Sequence, residues 1–153
     1  MIIAPSHLTL EEVNHSLNLK FTVNYFTVPQ DRYAGLIRTL SVHNLGSDAV
    51  SVEGLDGLPV IVPHGVDNFC LKDMRRTIEA FVEVRNFNNR VPFFKAKVEP
   101  ADRPHVQKIA GGNFYLGFET TGTGANILSP IVDPNKIFGT QTDFSYPERF
   151  LEM

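Results

Sequence analysis

Thr77-Ile78-Glu79-Ala80-Phe81-Val82-Glu83-Val84-Arg85 carries the clearest alternation in the chain. Ile78, Ala80, Val82 and Val84 point one way, while Thr77, Glu79, Phe81, Glu83 and Arg85 point the other. That is the period-two signature of a half-buried strand. Downstream, Asn86-Phe87-Asn88-Asn89 supplies a turn. Residues 91–98 then read as a partner strand, with Pro92 at its first residue or on an edge because proline donates nothing to a ladder. Residues 105–109 and 113–119 are expected to add two more strands through Gly111-Gly112.

Upstream the same pattern recurs. Residues 19–25 alternate cleanly. Residues 34–44 do so less cleanly, with Leu36, Leu40 and Val42 sharing a face with Arg38 and Asn44. Leu45-Gly46-Ser47-Asp48 has turn chemistry, so residues 34–44 and 50–55 are predicted to form a hairpin. Helix signals are few. Thr9-Leu10-Glu11-Glu12 has capping-box spacing and predicts a short helix over 10–17. Residues 67–76 lack strict alternation and suit one or two helical turns. Beyond Glu119 the pattern dissolves, and residues 120–153, with Pro130, Pro134 and Pro147, read as an irregular tail or connection. The expected class is mainly β: an antiparallel β-sandwich with one or two short helices, in a single domain over 1–153.

Composition narrows the function classes. The 153 residues are 42% hydrophobic and 20% charged, proportions of a globular chain rather than a disordered or membrane one. A formal charge of −3 gives no electrostatic footprint for nucleic acid. The N-terminus lacks the basic head and apolar run of a secretory leader, and no stretch is long and apolar enough for a membrane helix, so a cytoplasmic protein is expected. The single cysteine, Cys70, between Phe69 and Leu71, reads as a small buried hydrophobe rather than a nucleophile. The five histidines share no metal-ligand spacing, so no metal and no cofactor is expected. Gly122-Thr123-Gly124 lacks the third glycine of a dinucleotide fingerprint, with Ile127 at its place, and reads as a loop.

The densest stretch is Leu55-Asp56-Gly57-Leu58-Pro59-Val60-Ile61-Val62-Pro63-His64-Gly65-Val66-Asp67-Asn68. Its prolines stiffen the chain, its glycines open φ values closed to other residues, and Asp56, His64, Asp67 and Asn68 offer polar groups. Such a loop can hold a sugar hydroxyl or dock against a second domain. Equally, Asp56 can tie down its own turn through backbone amides. Arg75, in the pair Arg75-Arg76, adds donors suited to planar acceptors. These five residues are the candidates for carbohydrate or domain contact; no catalytic residue is assigned.

Several segments together resemble a known family. Tyr25-Phe26-Thr27-Val28-Pro29, Leu36-Ile37-Arg38, Val42-His43-Asn44-Leu45-Gly46, Leu55-Asp56-Gly57-Leu58-Pro59 and Pro63-His64-Gly65-Val66 are similar to the N-terminal β-sandwich region of cellobiose phosphorylase-like and cyclic β-glucan synthase-like proteins. Pro130-Ile131-Val132-Asp133-Pro134, Ile137-Phe138-Gly139 and Pro147-Glu148-Arg149-Phe150 continue the likeness. The resemblance implies a galactose mutarotase-like supersandwich, which in that family precedes a helical barrel carrying the catalytic acid. It further implies that this chain is a fragment or truncated homologue. On that basis it shapes a substrate cleft or subunit interface, with carbohydrate, an adjacent helical catalytic domain or a second copy of itself as partner. Two other readings stay open. One is an independent carbohydrate-binding module using Tyr25, Tyr33, Tyr115, Tyr146 or Phe81 as platforms, although the chain has no tryptophan. The other is a small mutarotase-like epimerase with His64 and Asp56 or Glu79 as acid and base.

Overall fold

The structure is a computed structural model that describes residues 1–58, 60–99, 104–121 and 124–152, with the backbone alone at 75, 76 and 121. The protein is mainly β, with three antiparallel sheets and few short helices. It divides into two compact units, Met1–Asp56 and Gly57–Met153.

Unit 1 is a meander of β1 (Ile2–Ala4), β2 (His7–Asn14), β3 (Leu19–Thr27) and β4 (Leu36–Asn44), each paired with its neighbour in sequence. Residues 10–14 are therefore strand, and the expected helix over 10–17 is wrong. The Thr9 hydroxyl, predicted to cap a helix, donates instead across the ladder to Asn24 Oδ1 at 2.6 Å. Pairing all of His7–Asn14 against β3 satisfies more backbone than an isolated helical turn could, so tertiary context outweighs the local signal.

Register sorts the side chains of this sheet into two faces. The rows Ile3–Leu8–Tyr25–Arg38, Leu10–Val23–Leu40 and Glu12–Phe21–Val42 make one face mostly apolar. The rows His7–Phe26–Ile37, Thr9–Asn24–Thr39 and Glu11–Thr22–Ser41 make the other mostly polar, and a Lys20–Glu11 ion pair of 2.6 Å lies on it. Leu19 is the only buried residue of unit 1. The predicted hairpin between residues 34–44 and 50–55 does not form. Residues 49–56 contain no strand, and β4 pairs with β3 alone, leaving its outer edge open among the described residues.

Unit 2 is built from shorter pieces. Asp67 Oδ1 accepts the Cys70 amide at 2.9 Å, starting a π-helical turn at Cys70–Met74 that runs into a 3-10 helix at Arg75–Phe81. The turns expected over 67–76 are thus present. The strand predicted at 77–85 shrinks to β5 (Val82–Arg85). The Thr77 hydroxyl donates to the Met74 carbonyl, and three-residue winding brings Ile78 and Phe81 to one side, with Ile78 buried. β5 pairs with β6 (Phe93–Ala96), and β6 with β7 (Asn113–Phe114). Pro92, just before β6, is fully buried and leads into the strand as expected. Residues 105–109 give one bridge, Val98 to Lys108, rather than a strand.

β8 (Phe118–Thr121) and β9 (Gly124–Ile127) form a hairpin where an irregular tail was expected to begin. The helices α1 (Asn135–Phe138) and α2 (Glu148–Leu151) follow. No helix among the described residues is long and apolar enough to cross a membrane.

Burial is sparse throughout. The accessible surface is 12036 Å². A compact monomer of 17.1 kDa exposes about 7,700 Å² by the usual scaling, and two separately packed globules of about 6 and 11 kDa would together expose about 9,300 Å². Many large apolar side chains are exposed, among them Leu36, Val60, Phe69, Phe114 and Phe118.

Candidate functional site

The sequence candidates fall in different units: Asp56 in unit 1, and His64, Asp67, Asn68 and Arg75 in unit 2. Each one whose contacts are described is occupied in holding local structure.

Asp56 ends unit 1 as one member of a three-residue cluster. Tyr25 and Arg38 are cross-strand partners on β3 and β4. Arg38 Nε donates to Tyr25 Oη at 3.0 Å, and its guanidinium carbon lies 5.6 Å from the Tyr25 ring centroid. Arg38 Nη1 donates to both carboxylate oxygens of Asp56. Partial burial works against the Arg38 charge, but the hydrogen bonds to Asp56 and Tyr25 outweigh it and hold its pKa above the ordinary value. Asp56 therefore fastens its segment to β4 through a side chain rather than through its own turn. That use was not legible in local sequence, because Arg38 lies 18 positions earlier.

The His64 backbone amide donates to Asn113 Oδ1 at 2.7 Å, which fixes the loop after Pro63 against the start of β7. A Cβ on Gly111 would lie only 2.8 Å from His64 Cδ2, so the imidazole packs against bare backbone there. Asp67 is the amide acceptor that starts the helical turn. Its pKa lies below the ordinary value, first because of the Cys70 amide and then because of the Cys70 thiol. Burial pushes the Cys70 thiol above its usual range, and the side chain is buried as the sequence suggests. Asn68 is exposed in the same turn. The Arg75 side chain lies outside what the structure describes.

One surface feature escaped the sequence reading. On the polar face of unit 1, Ser6, His7, Asn24, Phe26, Thr27, Pro29 and Thr39 line a shallow open groove. Asn24 Oδ1 is engaged by Thr9, which leaves the Asn24 amide group for a ligand, and His7 Nδ1 lies 3.2 Å from Ser6 Oγ. The lining is neutral apart from the imidazole, and Phe26 and Pro29 give it an apolar side. The signal was present as alternation in β3, but its polar positions become a cluster only once β2 and β4 are paired to it. Among the described residues, no three His, Cys, Asp or Glu side chains come together to hold a metal.

Compared with known proteins, the chain matches no family model, no curated protein and no solved structure. It is a mainly β, antiparallel chain of two units, in which the carboxylates of Asp56 and Asp67 hold local structure.

Proposed function

We propose that this chain is an accessory β domain of a cytoplasmic carbohydrate-active enzyme of the glycoside phosphorylase or hydrolase type, shaping the substrate cleft or a subunit interface rather than performing the chemistry. The observation that carries this reading is the surface of 12036 Å², which exceeds even the two-globule figure of about 9,300 Å² by more than about 2,500 Å². Excess surface on that scale, with many large apolar side chains on it, suits a chain made to be covered by other protein. The family likeness supplies the carbohydrate context. The tail aromatics contribute to the surface in part: Phe138 and Phe144 pack on each other with centroids 5.0 Å apart, whereas Tyr146 is open to solvent.

The test is turnover. Purified chain incubated with β-linked glucosides, with and without inorganic phosphate, should release no sugar or sugar phosphate above buffer. Release that is abolished by His64→Ala or Asp56→Asn would overturn the proposal and favour a small enzyme.

A second reading, an independent sugar-binding module, draws support from the groove beside Phe26. Its neutral donors and one aromatic wall suit a pyranose, with an apolar face and a polar rim. Calorimetric titration with gluco-oligosaccharides distinguishes the two. Binding at micromolar to millimolar strength that is lost in Phe26→Ala and Asn24→Ala would favour the module.

A further inference from the structure

We propose that the apolar face of the unit 1 sheet is the interface between two copies of this chain, so that its second layer is supplied by a partner molecule. The face is centred on the row Leu10–Val23–Leu40, and Leu40 and Val42 remain 40% and 46% exposed. Sheets with one apolar face bury it by stacking on another sheet about 10 Å away, with strands crossing at about −30°.

Size fits a second copy. Three strands of eight or nine residues plus the short β1 present a face of about 500 Å². Stacking two such faces removes at least about 1,000 Å². The relief of the side chains raises this to the roughly 1,200 Å² at which specific interfaces begin. With its two-fold axis in the contact plane, such a dimer lays β3 over the partner's β3, so each apolar row meets its own kind.

Charge fits as well. Arg38, the cation on this face, is already matched by Asp56 and Tyr25, so covering it strands no lone charge. Glu12 sits at an open corner, since β1 pairs only with residues 7–9 of β2, and its carboxylate can stay in water at the rim. The central row offers no polar atom for a sugar, and the face has no cluster of cations for a phosphate or an anionic lipid surface. What it complements is another apolar sheet face, and every molecule of this chain brings one.

The inference stands apart from the carbohydrate reading, because its test contains no glycan. Sedimentation velocity of the full chain from about 1 to about 100 µM should show a species of twice 17.1 kDa. Leu40→Glu, on the apolar face, should weaken association at least about 100-fold. Ser41→Glu, the next residue of β4 on the opposite face, should leave it intact. A monomer throughout, a mass other than the dimer, or a dimer indifferent to Leu40→Glu would each overturn the proposal, as would equal loss in both variants. Should Leu40→Glu lose its far-ultraviolet strand signal, unfolding of the unaltered chain decides: its Tm should rise with concentration over the same range, and a constant Tm would overturn the proposal.

Discussion

Both units join their strands in the order in which the chain makes them, but unit 1 does so in one sheet of long strands, whereas unit 2 divides into two small sheets and short helical turns tied together by loop contacts. In unit 1 the ladders connect neighbouring strands of up to nine residues. In unit 2 the His64 amide reaches Asn113, the Tyr115 amide reaches the Pro92 carbonyl, and the Lys97 amide reaches the Phe81 carbonyl. The contrast teaches where each unit's order comes from. Long adjacent strands hold one another through their ladders and a few cross-strand polar contacts, with Leu19 the only buried residue of that unit. Short strands need buried side chains and close approaches, and Cys70, Ile78, Ala96 and Ile137 supply the burial.

The largest expected effects come from those buried anchors. Leu19→Ala and Ile137→Ala each remove a side chain no more than 4% exposed and should cost about 2–5 kcal/mol. Hydrogen exchange read by peptide should place the loss in β3 and β4 for Leu19→Ala, and in unit 2 for Ile137→Ala. Loss spread equally over both units in either variant would break the distinction.

Gly112→Ala sharpens it. A Cβ there would lie 2.6 Å from the Phe94 carbonyl oxygen and 2.6 Å from the Phe93 ring. Backbone cannot swing aside, so a loss of about 1–3 kcal/mol is expected in denaturant titration. Gly54→Ala in unit 1, where a Cβ meets nothing within 4 Å, should change stability by less than about 0.5 kcal/mol. Tyr25→Phe removes the hydroxyl that Arg38 Nε reaches on a partly exposed sheet face. It should cost about 0.5–1 kcal/mol and be legible in the same titration.

The smallest effect is one of pH. The Asp67 carboxyl titrates below its ordinary value of 3.8 in the folded chain, so its charge adds stability that is present above that value and is lost as pH falls through the folded pKa. Asp67→Asn keeps an acceptor for the Cys70 amide but does not titrate. The Tm of the parent should exceed that of the variant by about 1 °C or less at pH 6, and the two should converge near pH 2. A constant gap would show that the charge does nothing there.

The same contrast governs what could be read in advance. β3 and β4 were legible because their alternation coincides with their ladders. The turn at 86–89 and the entry into β6 at Pro92 were legible from turn and proline chemistry. The segment at 77–81 alternates as well as β3 does, yet it winds as a 3-10 helix because the turn begun by Asp67 continues into it. Thr9 and Glu12 have the spacing of a helix start, but their partners lie on β3. The hairpin of β8 and β9 hid because Phe118 and Ile127 are its only large apolar pair, directly opposite each other across the ladder. Among the candidates, Asp67 stands at the start of the turns expected over 67–76, but its residue type nominates it as a contact residue and leaves its use as the amide acceptor unassigned. The bond from Arg38 to Asp56 and the groove beside Phe26 arise only when distant positions meet, so residue type could nominate Asp56 without revealing its use.

The outer edge of β4 has a practical bearing on handling the protein. Leu36–Asn44 contains no proline or glycine and presents successive amides and carbonyls to any strand that draws near. Addition along that edge differs from stacking on the flat of the sheet, because head-to-tail joining that does not close into a ring lengthens into ribbons with a strand repeat of about 4.8 Å. Concentrated stocks are therefore expected to thicken or gel with time, and a lysine placed at Thr39 or Ser41 is the remedy that natural sheets use at such borders.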